Sequence, residues 1–83
     1  MPDVPTEVRH LAETVRLIAV GEARVAEQKQ RIEELRRDGH PTSVAEQTLE
    51  ALQLTVSSVR DTKASIEDVL RNVEQGKLPR GPL

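Results

Sequence analysis

The sequence predicts an all-α protein: an antiparallel two-helix hairpin of coiled-coil type, two of which pack into a four-helix bundle. Three observations lead there. Two long segments repeat apolar residues at helical spacing. Between them, Gly39-His40-Pro41-Thr42-Ser43 gathers helix stop and start signals within one turn. The heptads of the two segments also come into register when the chain is folded at that turn.

At 83 residues the chain makes one small domain. It has no Phe, Trp or Tyr and is 36% apolar, so a seam between helices suits it better than a thick core. The absence of cysteine removes disulfides, thiol chemistry and the ligands of most structural zinc sites. A formal charge of −2 argues against bulk attraction to nucleic acid or anionic lipid. No basic stretch leads into an apolar run, and no apolar run approaches spanning length. The expectation is a soluble cytoplasmic protein.

Residues 1–5 form a short lead-in, with Asp3 or Thr6 as a helix cap and Pro5 near the first turn. The first helix is expected over 6–38, interrupted in propensity only by Gly21. Gly39 takes the left-handed conformation that ends a helix, and Pro41 does not continue one. Residues 39–42 are therefore the turn. Thr42 or Ser43 caps the second helix, expected over 43–75, with Glu46 completing a capping box from Ser43. Gly76 stops it, and 76–83, with two prolines and a further glycine, is expected to be a flexible tail.

With Val8 at heptad position a, Val8, Val15, Glu22 and Lys29 occupy a, and Leu11, Ile18, Val25 and Ile32 occupy d. In the second helix Leu49, Val56, Lys63 and Leu70 fall on a, and Ala45, Leu52, Val59, Ile66 and Val73 on d. Antiparallel pairing then matches Val8 with Val73, Leu11 with Leu70, Val15 with Ile66, and Ile32 with Leu49. All these pairs are centred between His40 and Pro41, inside the turn located from capping residues alone. Glu22 and Lys63 fall in neighbouring layers, placed for a diagonal ion pair or for snorkelling out of the seam.

One stripe on each of two helices buries little apolar area against the entropy of ordering the backbone. A further partner surface is therefore expected. Thr48, Ala51, Thr55, Ser58, Thr62, Ser65 and Val69 form an uncharged row of small or β-branched residues at c and g of the second helix. Solvent-facing positions more often hold Glu, Lys or Arg. Gly21 is expected on the same flank, paired with Thr62, and Thr14, Gln28 and Leu35 continue that side. This is the candidate homodimer face.

Other chemistry finds little support. His10 and His40 lie roughly a helix length apart, so one molecule offers no shared metal site or catalytic dyad. The carboxylates fall on outward positions among arginines, as in Glu13–Arg16, Glu27–Arg31 and Glu33–Arg37, with no desolvated cleft to perturb them. No catalytic, cofactor-binding or metal residues are assigned, and an enzyme is not expected. Arg9, Arg16, Arg24 and Arg31 line the outside of the first helix. They support an alternative, a small nucleic-acid-associated regulatory protein, although Glu13, Glu27 and Glu34 dilute the line and no aromatic residue is present to stack on bases. Leu17, Val20 and Leu54 are predicted outward and apolar, as partner anchors or scattered surface residues.

His10-Leu11-Ala12-Glu13, Gly21-Glu22 and Gly39-His40-Pro41-Thr42 together resemble a set of small bacterial proteins that share these motifs, ending in a Gly-His-x-Thr turn. The resemblance spans roughly residues 10–52. Pro41 departs from it where an acidic residue is expected. It implies a helical hairpin, and no functional residue is carried over. The reading is a non-enzymatic protein–protein interaction module, homodimeric and without cofactors, presenting a helix face.

Overall fold

Helix α1 (Val4–Arg37) and helix α2 (Ser43–Glu74) pack against each other in a computed structural model that describes residues 4–76. There is no strand among the described residues. The start of α1 lies two residues ahead of the expected one, within the supposed lead-in. Pro5 is accommodated because a first-turn N–H has no intrahelical acceptor to lose. The expected C-terminal tail, apart from Gly76, lies outside the described residues.

The turn is built by backbone hydrogen bonds. Gly39, at φ 77°, donates its N–H to the Arg36 carbonyl at 3.1 Å, and the His40 N–H donates to the Leu35 carbonyl at 2.8 Å. These are the two bonds of a Schellman ending, and they satisfy carbonyls that α1 would otherwise leave open. At the far end of α2, Gly76 repeats the first of them, with φ 72° and its N–H on the Val73 carbonyl at 3.1 Å.

The start of α2 differs from expectation. Thr42 is the cap residue, its carbonyl accepting the Glu46 N–H at 2.8 Å, but its side chain makes no capping bond. With Thr42 as cap, Glu46 lies one position too late to reach back to the cap N–H, so no capping box forms. Its carboxylate instead accepts from the Arg36 guanidinium of α1 at 3.4 Å.

Along α2 the expected seam is the one the structure uses. Ala45, Leu49, Leu52, Val56, Val59, Lys63, Ile66, Leu70 and Val73 are all buried or half-buried. α1 departs from its expected seam. Val8 and Val15 keep 52% and 51% of their surface exposed, and Glu22 and Lys29 are exposed as well. The inward positions are Leu11, Thr14, Ile18, Gly21, Val25, Gln28, Ile32 and Leu35. α1 is therefore rotated so that its d and g positions meet α2, with a left at the edge.

The reason is electrostatic. The a row would bring Glu22 and Lys29 into the middle of the seam, whereas the g row, past the half-buried Glu7 in the first turn, brings Thr14, Gly21, Gln28 and Leu35, none of them charged. Desolvating ions costs more than leaving two valines half-exposed. The polar residues taken inward are satisfied. The Thr14 hydroxyl donates to the Leu11 carbonyl at 2.8 Å, and Gln28 Nε2 crosses to the Ala45 carbonyl at 2.9 Å. Gly21 lets the helices approach: a Cβ there would lie 2.6 Å from Val56 Cγ2. Pairs expected from d of α1 and a of α2 stay neighbours on shared grooves, namely Ile18 with Lys63, Val25 with Val56, and Ile32 with Leu49.

Candidate interaction face

The rotation of α1 gives the hairpin two unlike edges. On one, the a row of α1 meets the e row of α2. Arg60 donates to the Glu22 carboxylate there, and Arg36 reaches Glu46. Of the two alternatives for Glu22 and Lys63, the diagonal pair does not form: Glu22 faces Arg60, and Lys63 pairs along its own helix with Glu67 at 3.6 Å. Glu22 and Arg60 are each about half exposed, at 51% and 57%, so screening keeps their contribution small.

Since a of α1 and e of α2 share that edge, c of α1 and g of α2 share the other. On this second edge α2 carries no charge. Thr48, Ala51, Thr55, Ser58, Thr62 and Ser65 are exposed, and Val69 is half-buried. The threonine hydroxyls are already engaged: Thr48 donates to Val44, Thr55 to Ala51 and Thr62 to Ser58, each on the carbonyl four residues back, at 3.1, 3.0 and 3.2 Å. The face therefore offers methyl and acceptor surface with few free donors. Leu17 lies across from it on α1, 52% exposed.

Gly21 is not part of this face. It sits in the seam against Val56, and a Cβ built there meets no atom of Thr62 within 4 Å. Thr14, Gln28 and Leu35 go inward with it. The uncharged run through Gly21, expected on the outside, lies within; the charges on Glu22 and Lys29 are the sequence signal for that placement.

The Glu13–Arg16, Glu27–Arg31 and Glu33–Arg37 pairs are not formed. The ion pairs among the described residues are Arg36–Glu46, Arg60–Glu22, Lys63–Glu67 and Arg71–Asp68. Exposed pairs at such spacings gain only a few tenths of a kcal/mol, so hydration competes with them. His10 and His40 are both exposed, and no group of three or more His, Asp or Glu side chains converges as metal ligands among the described residues. No helix there is long and apolar enough to cross a membrane. The grooves along the seam are shallow, lined by residues such as Val15, Ile18, Arg60 and Glu67.

Comparison with known protein families, with curated proteins and with solved structures finds no match to this chain.

Proposed function

We propose that this protein is a non-enzymatic interaction module whose hairpin presents the uncharged edge of α2 to a second hairpin. The supporting observation is the asymmetry of the two edges. One is closed by ion pairs between the helices, while the other exposes small, uncharged residues over most of the length of α2. The interior of a lone hairpin is thin: Thr14, Ile32, Val56, Ile66 and Val73 are its only buried residues among those described, and none of these is completely enclosed. A second hairpin on the uncharged edge adds apolar burial without desolvating charges of α2.

Sedimentation equilibrium or light scattering from low micromolar to submillimolar concentration tests this. Wild type associates, and Thr55→Lys or Ser58→Glu dissociates it while leaving helicity intact. A fully helical wild-type monomer across that range overturns the reading.

One observation favours a second reading. Arg9, Arg16, Arg24 and Arg31 are exposed and join none of the ion pairs among the described residues, leaving them available to phosphates. Titration of labelled duplex DNA at increasing salt separates the two. Contacts through these arginines give an affinity that falls steeply with salt, and absence of binding at low salt eliminates them.

A further inference from the structure

A row on α1 that the hairpin leaves unused carries an inference of its own. His10, Glu13, Leu17, Val20, Arg24 and Glu27 follow at alternating three- and four-residue spacing, along the edge beside the uncharged face of α2 and its outer flank. All are exposed, Leu17 at 52% and Val20 at 44%. None of its charged or polar members makes a side-chain hydrogen bond or ion pair among the described residues.

The row is its own complement when reversed. About a point between Ile18 and Ala19, His10 mirrors Glu27, Glu13 mirrors Arg24, and Leu17 mirrors Val20. A two-fold interface requires this property, because each contact from one residue to another occurs again in reverse. Sliding the register by a heptad destroys it: Leu17 then faces Glu13 or Glu27, and Val20 faces His10 or Arg24.

The axis also falls within the uncharged row of α2. The cross-helix neighbours Ile18–Lys63 and Glu22–Arg60 put Ile18 and Ala19 level with Lys63 and Thr62, inside the stretch from Thr48 to Val69. One axis therefore crosses both rows.

We propose that the occupant of this face is a second copy of the chain, bound with α1 antiparallel to α1 and the two-fold axis level with Ile18 and Ala19. Leu17 packs on Val20 of the second copy, flanked by Arg24–Glu13 and His10–Glu27 pairs. The proposal rests on the interaction-module reading and adds to it the partner's identity and register.

Charge reversal at exposed positions tests it without disturbing the hairpin, with helicity followed by circular dichroism. Arg24→Glu and Glu13→Arg each place like charges together twice per dimer and weaken self-association about tenfold or more. The double variant R24E/E13R recovers dimerisation. An equimolar mixture of the two single variants forms a heterodimer tighter than either homodimer, since both junctions are then attractive. If wild type dimerises but the single variants and their mixture dimerise equally well, the register is overturned and the interaction module stands. If wild type stays monomeric, both fall.

Discussion

Gly21 concentrates two opposed effects at one position. Replacing a mid-helix glycine by alanine ordinarily stabilises by about 1 kcal/mol. Here the added methyl would lie 2.6 Å from Val56 Cγ2, and Val56 is 8% exposed with a stiff, β-branched side chain. Overpacking of that kind costs ~1–3 kcal/mol, so Gly21→Ala is expected to destabilise the protein despite its better propensity. In a Val56→Ala background the obstruction is gone, and the same substitution is expected to stabilise by about 1 kcal/mol. Urea denaturation of the four proteins at one concentration gives the coupling. Additive effects would mean that the helices do not meet at Gly21. In the sequence this glycine is a propensity cost and a flank residue; its role in close approach depends on what stands opposite, which the heptads of one helix do not specify.

The α1 element separates pattern from packing. Its apolar residues fit an a/d frame and a d/g frame almost equally, and the structure uses the second because the first would carry Glu22 and Lys29 inward. The two frames make different demands on single residues. Ile32 is 6% exposed, so Ile32→Ala is expected to cost ~2–4 kcal/mol, whereas Val15→Ala at a 51% exposed site should change stability by less than ~0.5 kcal/mol. Thermal and urea unfolding of both variants decides between the frames. Comparable losses would restore the a/d seam. In α2 the frame was legible from the outset, because only Lys63 interrupts an apolar a/d row. The turn was legible too, Gly39 and Pro41 having few alternatives. The capping box was not, since it depended on which of two adjacent residues, Thr42 or Ser43, serves as cap.

At the scale of the molecule, two helices with four buried aliphatic side chains and Thr14 among the described residues have little interior to hold them. Exposed Val8, Val15, Leu17, Val20, Val44 and Leu54 outnumber that core. If stability comes partly from association, the midpoint of thermal unfolding rises with protein concentration, as for any equilibrium in which the folded state alone binds its partner. A midpoint unchanged over a hundredfold range would separate folding from assembly.

Local chemistry was enough to settle that this chain is helical, where it turns, and which stripe of α2 faces inward. Backbone conformation at glycine and proline and an uninterrupted apolar row act over a few residues. The inward face of α1, the partner of Glu22 and the place of Gly21 were decided only when the helices met. Those outcomes compare the desolvation of charges on one helix with the room left by side chains on the other, and that comparison does not exist until both surfaces are in contact.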